Sequence, residues 1–542
     1  MLLFAEVRKV LIVCYEHGFL TADIQKKEWA GDSMQVVINL NQQYKWAQIK
    51  PGNVPAEWLT HSSYKQNQFA GKDVSFKLFS KRITEILTLA QNNGFPFASI
   101  RLDSIMIDSS CLTAILNIDK GQLIYFDSMD FGGTAIIKKR FLQNYSNIYP
   151  GSIYNESFLT NLDAGLSELP FLKVVRPLGV YFYGNKAKPV VYIDNRKAST
   201  FDGIIGFAPN SALNNKLVVT GEVNLKLQNI LGSGKYLDIS FRSFLNKSQD
   251  LLLKFNWPYF LNSKLGIDYS FKLLKFDSSY LDVFNDFGLQ YRFMGNNFFK
   301  VFYQVQRVSL IYADTQMVKT TKALPIFNDI RNDLFGLGLR KARLNYFLNP
   351  SRGYLIELDG GVGTKRILRN STIDAIELQS PNGGKYSIYD SIKLVSMQYR
   401  ANIFFVKYFK LPSDFVLQTQ FKGAVVYTQN LFLNELFRIG GLKSLKGFDE
   451  QSIFADKYGI ANIELRYLFQ QNSSFILFWN GAWYQNIVRS PNIIDTPWGI
   501  GAGMNVETGA GIFSLFYAVG KQMNNPVELR NAKIHFGFIN YF

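Results

Sequence analysis

Acid–base, nucleophilic and metal chemistry all draw on the same few side chains, and in this chain those are sparse and scattered. The three histidines, His17, His61 and His535, stand far apart, and neither Cys14 nor Cys111 has a second cysteine nearby in sequence. No serine elbow and no phosphate-cradling glycine loop occurs. The spacing therefore predicts no enzyme, no cofactor site and no metal centre. The cysteines read as small buried hydrophobes, and His17 as a helix-end or surface residue. What does recur is a set of charged and amide side chains at every second position, as in Thr220, Glu222, Asn224, Lys226 and Gln228, and again in Asn462, Glu464 and Arg466. The chemistry of such a row is ion pairing and hydrogen bonding along a wet wall.

Alternation of this kind belongs to β-strands, whose successive side chains point to opposite faces. Opposite the polar row at 216–228 stand Leu217, Val219, Gly221, Val223, Leu225 and Leu227; Phe299, Val301, Tyr303 and Val305 oppose Lys300, Gln304 and Gln306; Ile463, Leu465 and Tyr467 oppose Asn462, Glu464 and Arg466. One face suits lipid and the other water, over a stretch too long for a single soluble sandwich. Turn signals divide it into strands near 200–208, 216–230, 235–246, 249–258, 264–276, 278–293, 295–308, 334–347, 352–364, 389–408, 413–428, 457–471, 473–486, 495–507, 510–521 and 532–542. That is a sixteen-stranded antiparallel transmembrane β-barrel over 199–542, with its long connections, 309–333, 365–388 and 429–456, all on one side. No apolar run is long enough for a membrane helix. The 29 Tyr and 47 Phe are enough to supply aromatic girdles at both interfaces. The net charge of +17 is not backed by any finger, P-loop or recognition helix, so nucleic acid is excluded as a partner.

The first two hundred residues mix short helices with short strands. Glu6 to Glu16 and Arg82 to Asn93 have helical apolar spacing, and each ends in a Gly-Phe pair, Gly18-Phe19 and Gly94-Phe95, with strands after it. The parallel between His17 to Ile24 and Asn93 to Ile100 marks a repeated module in which glycine caps a helix. A third unit begins around Tyr125, with helices near Ile137 to Tyr145 and Glu156 to Leu169 and strands near Phe171 to Tyr183 and Pro189 to Ile193. The divisions are 1–42 (a partial module), 43–122, 123–198 and the barrel 199–542. The first unit lacks an opening strand and helix, which leaves an unpaired edge and an uncovered apolar face. Met1 to Ile12 holds Glu6, Arg8 and Lys9 where an export signal would be apolar, so either more sequence is expected ahead of Met1 or this first unit is expected to be incomplete and partly mobile.

Strand-helix-helix-strand-strand modules ahead of such a barrel resemble the Omp85 superfamily, in its BamA- and TamA-like, surface-antigen D15 branch, whose periplasmic modules are called POTRA domains. The wording agrees at Tyr44-Lys45-Trp46, at Phe171-Leu172-Lys173-Val174, at Asn349 to Tyr354 and above all at Phe437 to Phe448, in the long loop between strands eleven and twelve. The resemblance implies that this loop folds into the lumen with Leu445, Lys446, Gly447 and Phe448 as its signature. Lys446 takes the place of the usual arginine, Glu464 is its acidic wall partner, and Asn480 falls where an aspartate is usual. Lysine lacks the planar donor fork and asparagine lacks charge, so the contact should be weaker than in the family pattern. The resemblance further implies a barrel seam between the first and last strands, here involving Gly203, Gly206, Phe536, Gly537, Phe538 and Phe542. Two glycines in a short first strand should leave that seam weak.

The function so implied is that of an outer-membrane assembly factor that inserts and folds β-barrel clients. The alternative is a specialised translocation and assembly module for autotransporter-like or secreted clients. Implied partners are unfolded outer-membrane β-barrel clients and outer-membrane lipids, with periplasmic chaperones and accessory lipoproteins. The implied location is the outer membrane, with the POTRA region in the periplasm.

Overall fold

The computed structural model describes 2–541 apart from 31–32, 63, 66, 211–215, 245–247, 347–348, 380–383, 490, 524–526, 528–529 and 531. The chain divides into two compact units, 1–130 with 148–160 and 178–191, and 131–147 with 161–177 and 192–542.

In the first unit, helix α1 (Leu2–Glu16) leads to the antiparallel hairpin β1 (Asp23–Ala30) and β2 (Ser33–Asn39). Next come β3 (Lys45–Lys50), α2 (Ala56–His61), α3 (Phe76–Asn92), β4 (Ser99–Asp108) and β5 (Cys111–Asp119), with sheet order β3, β5, β4. The two Gly-Phe caps have one geometry. Gly18 and Gly94 take φ of +87° and +94°, and Phe19 and Phe95 donate back to Cys14 and Ala90. Each capping glycine then accepts, at 2.8 Å, from the start of the following module, Gly18 from Tyr44 and Gly94 from Ile124. A Cβ would collide at both, 2.6 Å from the Tyr44 carbonyl and 2.5 Å from Leu123, so the repeat of glycine is a repeat of close approach. Trp46, Ile49, Trp58, Phe69, Ile86 and Leu116 are among the residues that share one apolar core in this unit. In the hairpin before it, Trp29 and Val37 are exposed, as are Val10 and Val13 of α1. Neither cysteine is buried: Cys14 is half-covered and Cys111 exposed. Cys111 falls on the solvent parity of β5, opposite to buried Leu112, Ala114 and Leu116.

The chain continues with β6 (Tyr125–Phe126), β7 (Asp130–Gly132), α4 (Lys139–Ser146), α5 (Glu156–Leu166), β8 (Leu172–Tyr183) and β9 (Lys186–Asn195), and β6, β7 and β8 each pair with β9.

The second unit is dominated by a closed antiparallel barrel. It begins with β10 (Thr200–Asn210), β11 (Lys216–Ile230), β12 (Lys235–Phe244), β13 (Ser248–Trp257), β14 (Leu265–Phe276), β15 (Tyr280–Met294) and β16 (Asn297–Leu310). After a connection with helix α6 (Thr315–Thr321) come β17 (Ile330–Leu344) and β18 (Gly353–Ile367). The next connection carries α7 (Ser371–Asp374) and the pair β19 (Leu378–Gln379) and β20 (Lys385–Tyr386), and leads to β21 (Val395–Lys410) and β22 (Phe415–Thr428). A loop containing β23 (Phe437–Ile439) and β24 (Ile453–Ala455) precedes β25 (Lys457–Gln470) and β26 (Ser473–Asn486). The chain finishes with β27 (Ile493–Asp495), β28 (Trp498–Thr508), β29 (Gly511–Lys521) and β30 (Lys533–Tyr541). Both β27 and β28 pair with β26, so they are one wall strand interrupted at Pro497, and the wall has sixteen.

The alternation is realised in the wall. Ile463, Leu465 and Tyr467 are exposed outward while Asn462 and Glu464 are buried inward; likewise Phe299 and Val301 face out while Lys300 pairs in the lumen with Asp268 at 2.8 Å. Two strand starts lie four or more residues from the expectation. The eighth begins at Ile330 rather than 334, and the tenth at Val395 rather than 389, because Ser387 and Asp390 form a capping box that turns 388–391 into a short helix. The long connections share one end, where Tyr280, Val308, Val318, Ile330, Ile388 and Tyr389 belong to a common apolar cluster.

Candidate functional site

The loop between β22 and β25 enters the lumen on a two-stranded stem in which Phe437, Arg438 and Ile439 pair with Ala455, Phe454 and Ile453. Its tip turns through glycines at positive φ, Gly440, Gly441 and Gly447. At Gly447 the requirement is also steric. A Cβ there would lie 2.7 Å from the Val519 carbonyl oxygen, and one at Gly520 would lie 2.8 Å from the Gly447 oxygen, so the tip backbone rests directly on β29. Leu445 and Phe448 are buried with Tyr458, Ile460, Ala482 and Tyr484, and this apolar anchor holds the tip on the wall.

From that anchor Lys446 Nζ donates to Glu464 Oε1 at 2.8 Å and lies 4.7 Å from the centre of the Phe478 ring. Glu464 is not reserved for Lys446. Asn462 Nδ2 donates to the same oxygen at 3.0 Å, and Arg466 donates to Oε2 from Nε at 3.0 Å and from Nη2 at 2.6 Å. Arg466 reaches further, to Asn349 Oδ1 at 3.1 Å and to Gln418. A planar guanidinium is thus present at the site, supplied by the wall instead of the loop. Sequence reasoning missed this role, although the alternation had already placed Arg466 on the inward face one step beyond Glu464. Asn480 does not meet Lys446. It is fully buried, its Nδ2 donates to the Gly499 carbonyl at 3.3 Å, and its Oδ1 has no hydrogen-bond partner among the described residues. Gly499 in turn lies under the tip, since a Cβ there would come within 2.3 Å of the Lys446 carbonyl oxygen. Beside these groups lies a lumenal cavity of about 480 Å³, walled by Gln418, Asn462, Arg466, Asn472, Asn505 and Tyr541, an amide-rich surface.

The start of the same loop is fixed by a second ion pair. Lys365 of β18 donates to Glu435, with both side chains fully buried, and to the Asn430 carbonyl at 2.6 Å. Glu435 also accepts from Gln398 Nε2 at 3.2 Å and from the Phe432 amide at 3.0 Å.

The first and last strands are paired in continuous antiparallel register, from Thr200 opposite Tyr541 to Phe207 opposite Ile534. Gly203 faces Phe538, Gly206 faces His535, Ile204 faces Gly537 and Ile205 faces Phe536; Phe542 lies outside the described residues. The first strand is longer than expected, running to Asn210. Gly203 and Gly537 have ordinary van der Waals room for a Cβ, so nothing crowds them into being glycine. Phe538 packs on Phe513 with ring centres 4.7 Å apart.

Residues 229–540 match the model of the Omp85 superfamily domain. No curated protein matches the sequence. Among solved structures, CdiB from Escherichia coli is similar at 13% identity, over 99% of this chain and 97% of that one, with a TM-score of 0.53. CdiB from Acinetobacter baumannii is similar at 12% identity, over 92% of this chain and 90% of that one, with a TM-score of 0.55. BamA from Haemophilus ducreyi lacking POTRA domains 1–3 is similar at 15% identity, over 92% of this chain and all of that one, with a TM-score of 0.44. At these identities the likeness is one of fold.

Proposed function

We propose, for a chain that belongs to the Omp85 superfamily, that it carries secreted or autotransporter-like client polypeptides across the outer membrane through the lumen of its own barrel. The superfamily works in protein insertion and translocation at the membrane, without catalysis. The finer choice rests on one contrast. The obstruction in the lumen is held by side-chain ion pairs and a small apolar anchor, whereas the seam is a continuous ladder from Thr200–Tyr541 to Phe207–Ile534. Opening a ladder that faces hydrocarbon strands backbone N–H and C=O groups at a cost of several kcal/mol each. Lifting the loop exchanges its ion pairs for water or for the client. A polar lumen therefore offers the lower route, and it suits an extended hydrophilic chain. The fold shared with CdiB along nearly the whole chain, N-terminal region included, is in keeping with this.

In this reading Leu445, Lys446, Gly447 and Phe448 are the movable obstruction, and Glu464, with Arg466, is the dock to which it returns. Asn480 steadies the wall beneath. The modules 43–122 and 123–198, with the partial one at 1–42, sit in the periplasm and receive clients that chaperones or lipoproteins deliver. The general assembly reading, in which β-barrel clients pass through Gly203, Gly206, Phe536, Gly537, Phe538 and Phe542 of the seam, is the second choice.

Depletion of the protein in its own cells, followed by outer-membrane proteomics and heat-modifiability gels, separates the two. Loss confined to a few secreted or autotransporter-like proteins is expected. A broad fall in folded barrel proteins would overturn the proposal in favour of general assembly.

A further inference from the structure

We infer that the tip of the 429–456 loop is a strap across the barrel seam, tying the last strand to the second and third and passing over the first. Asp449 Oδ1 lies 2.6 Å from Lys533 Nζ on β30. On the other side of the seam, Lys443 donates to Glu222 of β11, and Arg242 of β12 lies 3.6 Å from Glu450. Gln451 Nε2 adds a hydrogen bond of 3.2 Å to Asp250 of β13, a carboxylate that Arg242 also holds at 2.5 Å. Among the described residues the ion pairs of the tip fall on β11, β12, β25 and β30, and none on β10. The two grips are joined through the tip, where the Leu442 amide donates to Glu450 Oε1 at 2.9 Å and closes the tip on itself. The tip sits directly behind the seam: Ile204 of β10 and His535 of β30 line one small cavity with Leu442 and Glu450.

The arrangement differs from the Lys446–Glu464 contact, which fixes the loop to β25, a strand that takes no part in the seam. For β30 to separate from β10, either β30 must leave Asp449 or the tip must leave Glu222 and Arg242. Charge-assisted hydrogen bonds in a partly buried lumen resist that more than neutral ones do. Lifting the loop releases both grips at once, so clearing the lumen and freeing the seam become one event. That functional consequence rests on the lumenal route proposed above; the geometry of the strap does not.

Hydrogen exchange on the full chain in lipid nanodiscs tests the strap without any client. Asp449→Asn combined with Lys443→Met is expected to speed exchange in 200–210 and 533–541 by about tenfold or more, the scale of losing a charged hydrogen bond. The far wall, 330–344 and 353–367, should not change. The charge swap Asp449→Lys with Lys533→Asp should return the seam towards wild type. An unchanged seam, or an equal rise on both walls, would overturn the inference. Neither result touches the lumenal route, which the depletion experiment judges separately.

Discussion

Replacing Lys365 with methionine removes the cation from a pair in which both side chains are wholly buried. Methionine keeps most of the length and apolar contact of the stem, but removes the Nζ that lies 4.5 Å from the centre of the Phe432 ring. Glu435 would then be a buried carboxylate with two donors left, Gln398 Nε2 and the Phe432 amide. Breaking such a pair by removing one partner costs roughly 3–5 kcal/mol, and the two surviving hydrogen bonds place the expectation near the lower end. A loss of about 3 kcal/mol corresponds to roughly a hundredfold rise in the population of the open segment. Hydrogen exchange of 429–440 in nanodiscs reads that population directly, because locally opened segments exchange at their own free energy. The double variant Lys365→Met with Glu435→Gln should recover much of the protection, since Arg400, whose Nη2 donates to the Glu435 backbone carbonyl at 3.2 Å, is then the one charge left at the site among the described residues. Exchange in Lys365→Met within about threefold of wild type, or a double variant no better than the single one, would refute the reasoning, as a threefold change is under 1 kcal/mol.

Because Arg466 stays on Glu464 when Lys446 is lost, Lys446→Met should lower the heat-modifiability midpoint less than Glu464→Gln, which strands two cations; the reverse order would show that the loop lysine is the main partner. Burial pushes the Glu168 carboxyl, which accepts from the Leu344 amide at 2.8 Å, up to about 7. A carboxyl raised in the folded state contributes stability that is complete below its unfolded value and lost as pH rises through about 7. Stability should therefore be lower at pH 8 than at pH 5, and Glu168→Gln should flatten that part of the profile.

Much of this was written in the sequence at the level of parity. Alternation placed Glu464 and Arg466 inward and Ile463 outward, and turn residues placed the hairpins, because both signals are local. The same parity, applied to β5, would have shown Cys111 facing solvent. Register is a different matter. Lys443 meets Glu222 across 221 positions of sequence and Lys365 meets Glu435 across 70, and no local pattern encodes which charges a closed sheet brings face to face. The apolar cluster over the long loops was hidden for a related reason, since Val318, Ile373 and Phe432 come from separate connections with no shared period.

Each wall strand pairs with its sequence neighbours except at one place, where Thr200 meets Tyr541. This sets an order of assembly. Every other pairing is a hairpin or a neighbour contact that can form as soon as its two strands are together, whereas joining the ends of a flexible chain of that length would cost roughly 5 kcal/mol of loop entropy. Once the hairpins exist, most of that entropy has already been surrendered, and the curvature of the sheet brings its two free edges together. The barrel is thus built as an open, curling sheet whose last act is closure, and the latest contact to form during its own biogenesis is the one between its two ends.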